Sequence, residues 1–238
     1  MNSKKFCFII CSNNPVFLEE CIHYIRHLII PKEYEIDLIT VRDADSMTAG
    51  YQEAMKQSDA KYKIYLHQDV FILNKRFLMD VLAIFAADSE IGMIGMVGYE
   101  TMAADGIMWH EKRLGALYQR ECEKKYTDYQ TYRYSVSADG YAYAAVADGF
   151  LLITSYDLPW NTEELKDFDF YDAFQCMEFL RKGYKIAIPV QRNPWCLHVD
   201  SQLLDLSKYD KYHRIFMKKY QDMLGKNYCQ IMKLKDMG

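Results

Sequence analysis

An α/β domain, a mostly parallel central sheet flanked by helices, is the fold class the sequence predicts. Three observations predict it. Short, continuously apolar runs recur, as strands buried on both faces require. Between them lie segments with apolar residues at helical spacing. The chain has 238 residues, half of them hydrophobic, which is enough for one large domain with a full core.

The elements follow in order. Phe6 to Cys11 reads as a central strand. "SNNP" follows, where Asn14 can cap a helix whose first turn begins at Pro15. Leu18, Cys21, Ile22, Ile25, Leu28 and Ile29 then recur at helical spacing. Ile36 to Val41 is a second strand, closing in "RDADS", with Ser46 as a second helix cap. Tyr62 to Leu66 is the third strand, a helix starts at about Asn74, and Ile91 to Val97 is the fourth strand. This βαβ rhythm specifies the fold class. It breaks over residues 98 to about 145, where short antiparallel strands and loops are expected. Val146 to Thr154 returns as strand, Phe170 to Lys182 as helix with Gly183 as its stop, then "YKIAIPV" and "WCLHVD" as strands.

Composition excludes several functions. The net charge is −4, so no global basic field points to nucleic acid. Seven cysteines without paired spacing read as free thiols in a reducing cytoplasm, and no CxxC suggests a zinc ribbon. The apolar run near the N-terminus is too short for a signal peptide, and no window approaches a membrane span. No GxGxxG follows the first strand, and no GxxxxGK[ST], HExxH or GxSxG occurs. From Asp205 onward, eight Lys and Arg against four Asp give a tail of +4. Residues 1–204 are expected to form the domain and 205–238 a helical, basic extension. Packing on the domain is the simpler use of that tail; contact with an anionic membrane surface and dimerisation are the alternatives.

In open α/β sheets, ligands bind at the carboxyl ends of the strands. Three strands here end in polar clusters: "SNN" at 12–14, "RDAD" at 42–45 and "HQD" at 67–69. Asp69 stands out. It lies between apolar Ile64–Leu66 and Val70–Leu73, where a carboxylate is costly unless something pairs with it. It either caps a turn through backbone amides or holds a metal.

The ordered set "HQD", "VADGFLL" at 146–152, "DFDFYDAFQCMEFLRKGYKIAI" at 167–188 and "CLH" at 196–198 resembles a family 2-type glycosyltransferase of the GT-A fold. It is most similar to a small bacterial glycosyltransferase-like branch with His-Gln-Asp in place of Asp-x-Asp. The resemblance covers roughly residues 5 to 200. It implies a nucleotide-sugar donor, a divalent metal (Mn²⁺ or Mg²⁺) and inverting transfer to a hydroxyl acceptor. Glycan or polysaccharide assembly is the implied context, on a glycan or lipid-linked acceptor. The free thiols and the short N-terminal apolar run give a cytoplasmic location as the expectation, with peripheral membrane contact through the basic tail as the alternative.

The resemblance also assigns residues. Asp69 anchors the metal, with His198 or His67 as a further ligand; a mixed imidazole and carboxylate set suits Mn²⁺. Asp172 is the base for the acceptor hydroxyl, and Asp169 the second candidate. An acidic residue in a helix's first turn is also favoured by the dipole alone. Ser12, Asn13, Asp43, Gln52, His67, Gln68, Asp148 and Gly149 line the nucleotide-sugar site. Asp43, Asn13 and the Asp148-Gly149 pair have plain alternatives as turn or cap residues. Trp109 and Trp195 face sugars or pack in the core. His67 replaces an Asp, Gln52 a shorter Asn, and Phe174 an acidic residue. Those departures fit either an active enzyme of altered geometry or a non-catalytic binding module that keeps the fold. A nucleotidyltransferase ranks lower, because "CSNNP" carries no basic phosphate-gripping residue.

Overall fold

The computed structural model describes residues 1–121, 128–131, 140–200 and 207–234. The expected boundary at 204/205 lies outside them.

Strands β1 (Asn2–Ser12), β2 (Glu35–Arg42) and β3 (Ala60–His67) alternate with helices α1 (Pro15–Arg26) and α2 (Met47–Gln57). β1 lies between β2 and β3 and is parallel to both. Ser12 pairs with Arg42 and Cys11 with His67, so all three strands end along one rim. The two caps form as the residue types require. Asn14 accepts from the N–H groups of Val16 (3.0 Å) and Phe17 (3.4 Å), and the Ser46 hydroxyl accepts from Ala49 N–H at 3.1 Å.

Next come β4 (Val70–Ile72), α3 (Phe77–Ala87), β5 (Ile91–Gly95) and β6 (Val97–Tyr99). The helix expected from about Asn74 starts three residues later. Asn74 instead accepts from Arg76 N–H (3.0 Å) and donates to Asp80 (2.8 Å), a side-chain turn that precedes the helix. The irregular region holds β7 (Thr101–Met102), a 3₁₀ turn at Met108–His110, β8 (Arg113–Glu121), β9 (Asp128–Thr131) and β10 (Tyr141–Ala144). After it come β11 (Val146–Ala147), β12 (Leu151–Thr154), α4 (Tyr171–Arg181), β13 (Lys185–Pro189) and β14 (Cys196–Asp200). Helix α5 (Tyr209–Lys219), β15 (Lys226–Asn227) and α6 (Tyr228–Leu234) complete the described chain.

The main sheet has seven strands in the order β10-β13-β5-β12-β3-β1-β2. It is mostly parallel: β1, β2, β3, β5 and β13 run one way, and β10 and β12 run the other. β12 inserts antiparallel between β3 and β5, and β10 runs antiparallel to β13. The single strand expected over Val146–Thr154 is broken at Asp148–Phe150. There the Asp148 carboxylate accepts from Phe150 N–H (3.3 Å), and its own N–H bonds to Val97 O at 2.9 Å. A second sheet, β11-β6-β8-β14-β4, leans on the first, with β9 beside β8.

Side-chain alternation along β1 builds two cores. Cys7 and Ile9 point to the face covered by α2 and α4, while Phe6, Phe8 and Ile10 point to the face under α1 and α3. The C-terminal helix packs back on the first of these. Tyr212, Phe216 and Tyr220 of the α5 segment are four residues apart and fully buried. Phe174 of α4 meets Phe216 at 5.4 Å and Tyr220 at 5.2 Å. Phe174, found where an acidic residue was expected, is thus the seat of α5. The most apolar side of α5 is spent on packing, leaving its lysines outward. No helix among the described residues is long and apolar enough to cross a membrane. Six of the cysteines are described and all are free. Burial pushes the Cys11 and Cys21 thiols up to about 12, which makes them inert.

Candidate functional site

The site lies on the rim formed by the carboxyl ends of β1, β2 and β3. His67 is the last residue of β3, and Asp69 follows in the turn to β4. β4 pairs antiparallel with β14, placing His198 opposite Val70, and Val199 N–H bonds to Asp69 O at 2.9 Å. That register brings a residue 129 positions away beside the turn. His198 Nε2 lies 3.5 Å from an Asp69 carboxylate oxygen, and its ring stacks on Phe150 at 5.3 Å. One ligand atom each from His67, Asp69 and His198 falls within 4.8 Å of the others.

These three residues fit a divalent cation. Two imidazoles and one carboxylate mix nitrogen and oxygen donors, a set that suits a first-row divalent ion such as Mn²⁺ better than Mg²⁺. Metal ligation requires neutral imidazole. Burial and the neighbouring His198 push His67 down to about 4, against the opposing pull of Asp69. The Tyr171 hydroxyl bonds His67 Nε2 at 2.5 Å and fixes the ring. Outer contacts of this kind orient metal-binding histidines. Tyr171 is invisible to sequence reasoning because its contact spans 104 residues and follows no period.

Across Tyr171 sits a pair of carboxylates. Asp172 opens α4, accepting from Gly149 N–H (2.9 Å) and Ala173 N–H (2.8 Å). Burial, and then the charge of Asp148, raise it to about 7. Asp148 is itself raised by burial, with His198 and Arg113 pulling the other way. Gly149 joins the two. A Cβ there would meet the Tyr171 hydroxyl at 2.3 Å and Asp172 Cβ at 2.8 Å, so only glycine lets α4 approach the β11–β12 break. Asp169 is half-buried one turn earlier, next to Phe170.

Phe170 has φ +60°, a left-handed conformation unusual for a bulky residue. Such strain persists only where surroundings enforce it. Here the rings of Tyr209 (4.7 Å) and Phe216 (5.4 Å) from α5 hold it. The C-terminal helix therefore shapes the entry to Tyr171 and Asp172.

The remaining sequence-derived residues divide. Gln68 Oε1 accepts from the Ser12 hydroxyl (2.7 Å), Asn13 N–H (3.1 Å) and Asn14 N–H (2.8 Å), while its Nε2 donates to Asn13 Oδ1 at 2.6 Å. Ser12, Asn13 and Gln68 thus form one clamp that sets the β1–α1 loop at the rim. Gln52 Oε1 accepts from Trp160 N–H at 2.8 Å and ties α2 to the loop before α4. Asp43 is exposed at the end of β2, at φ +54°. Trp195 packs edge-on to Phe77 at 6.1 Å, its N–H bonded to Gln191, and belongs to the core rather than to a sugar face.

Comparison with solved structures gives the fold a precedent. A Staphylococcus aureus TarS fragment, residues 1–349 in complex with UDP, matches with a TM-score of 0.56 at 9% identity, covering 97% of this chain and 70% of its own. The mannosyltransferase PcManGT of Pyrobaculum calidifontis, in complex with GDP-Man and Mn²⁺, matches with a TM-score of 0.56 at 10% identity, covering 99% and 69%. At such identities the likeness establishes the GT-A fold. No curated protein sequence matches the chain. The model of the glycosyltransferase-like family spans residues 7–220, from β1 through the end of α5. The chain belongs to that family, and it is a glycosyltransferase of the GT-A fold.

Proposed function

We propose that the protein transfers a sugar from a nucleoside diphosphate donor to a hydroxyl acceptor, with inversion. One observation carries this reading: the His67–Asp69–His198 set and the Asp148–Asp172 pair face one site, separated by Tyr171. The first is a chemistry for holding a cation and a diphosphate, the second for holding a proton.

The donor's nucleoside lies along the rim near Asp43 and the Ser12–Asn13–Gln68 clamp, with Gln52 behind. Its diphosphate reaches His67, Asp69 and His198. When bound there, a divalent cation supplies Lewis-acid neutralisation of the leaving diphosphate. The acceptor oxygen attacks the anomeric carbon as the bond to the diphosphate oxygen breaks. Asp172 takes the acceptor's proton and later releases it to water. A carboxyl held near 7 is matched to that task at neutral pH. Asp148 raises the proton affinity of Asp172 by its charge, and Gly149 N–H orients the carboxylate. Asp169, half-buried just before α4, stands second. The complexes of TarS with UDP and of PcManGT with GDP-Man and Mn²⁺ support a nucleotide donor and a metal. We place the reaction in glycan or polysaccharide assembly on the strength of the family.

The test is turnover of UDP-glucose, UDP-galactose, UDP-GlcNAc and GDP-mannose, with and without Mn²⁺, read as nucleoside diphosphate release. Release from one donor that stops on chelation supports the proposal. Tight nucleotide binding without release from any donor, with or without saccharide acceptors, would instead favour a binding module.

A further inference from the structure

Beside Asp172 lies an aromatic ledge. Trp109, on the 3₁₀ turn, is 43% exposed, whereas Trp160 is buried. Its ring lies 5.5 Å from Tyr209 at the start of α5. Tyr209 in turn lies 4.7 Å from Phe170, two residues before Asp172. Among the charges acting on the Tyr209 hydroxyl, that of Asp172 is foremost, followed by Asp105, Asp169 and Asp210. Ledge and candidate base are therefore neighbours.

The ledge is built rather than incidental. Asp105 accepts from Ile107 N–H at 3.1 Å and bonds His110 Nδ1 at 2.7 Å. Its backbone oxygen bonds His213 Nε2 of α5 at 2.5 Å. Gly106, at φ +72°, lets the turn approach α5, where a Cβ would meet Met217 Sδ at 2.5 Å. The Trp109 turn is thus cross-tied to the helix that carries Tyr209. A large ring fixed in place but left exposed offers a flat apolar face at small entropic cost. The axial C–H face of a pyranose is its natural complement. The surrounding carboxylates repel an anionic ring and leave a neutral one favoured.

We propose that Trp109 and Tyr209 form the acceptor subsite, stacking a neutral pyranose so that one of its hydroxyls reaches Asp172. This rests on the sugar-transfer reading for the role of Asp172, but saccharide binding can be measured without it. The Tyr209 hydroxyl adds a polar handle at the ring's edge.

The experiment is saturation-transfer NMR on the full chain without donor. The probes are the methyl pyranosides of glucose, galactose and mannose, their neutral disaccharides, and glucose 1-phosphate. At least one neutral probe should bind saturably in the millimolar range and quench tryptophan fluorescence, with glucose 1-phosphate weaker. Trp109→Ala and Tyr209→Ala should each weaken it about tenfold or more, Trp109→Phe should retain most of it, and UDP or GDP binding with Mn²⁺ should be unchanged in Trp109→Ala. No saturable binding of any neutral probe, or equal binding by Trp109→Ala, overturns the proposal. Saccharide binding in a protein that binds no nucleotide would uphold the ledge and count against the donor reading instead.

Discussion

Asp69 and Asp172 are two carboxylates in one cleft, and their surroundings set them to different work. Asp69 has imidazoles for company, His198 at 3.5 Å and His67 within ligating reach. Asp172 is raised by its burial and then by another carboxylate, Asp148, so it holds its proton up to about 7. The same side chain is a candidate ligand in one place and a candidate base in the other.

Substitutions can break this contrast. The largest effect is expected from Asp69→Ala. Transfer should fall roughly 10⁴-fold, and nucleotide binding should no longer respond to the metal. Asp172→Asn should lower the rate on the order of 10³-fold while leaving metal-dependent nucleotide binding intact. If both variants lose binding equally, the division of labour is wrong. The wild-type rate should rise as pH increases through about 7, because the ionised Asp172 is the active form. Tyr171→Phe removes the bond to His67 and should weaken the metal about 10- to 100-fold, measured by Mn²⁺ titration.

The smallest effect is on stability. The folded protein keeps the Asp172 proton that the unfolded chain releases near pH 4. Between about 4 and about 7 the native state therefore binds more protons, and stability falls as pH rises through that window. Asp172→Asn should remove that slope in metal-free protein. The gain at pH 8 should be about 1 kcal/mol in urea unfolding, because a partly exposed carboxyl is screened well below its full shift.

How much of this was legible in the sequence depends on whether local pattern or distant pairing made it. The Asn14 and Ser46 caps and the apolar strands were readable because each is decided within a few residues. Asp69 and Asp172 were nameable because an isolated carboxylate in an apolar run, or at a helix start, is a local anomaly. Tyr171 was not, since only the fold brings it to His67. The antiparallel insertion of β12 escaped because a strand's direction leaves no mark on its own residues. Gln68 shows the reverse case. It sits inside the most informative motif, yet its side chain is engaged by the β1–α1 loop. Phe170 and Phe174 stand four apart in the helix predicted over Phe170 to Lys182, and their partner in α5, Phe216, lies some forty residues on.

The measurement that bears most directly on the central claim is calorimetric titration of the wild type and Asp69→Ala with UDP and with GDP, in Mn²⁺ and in EDTA. The account predicts binding of at least one nucleotide in Mn²⁺, abolished by EDTA and by Asp69→Ala. Binding of equal strength in EDTA and in the variant would contradict it, and would return Asp69 to a structural role in the turn between β3 and β4.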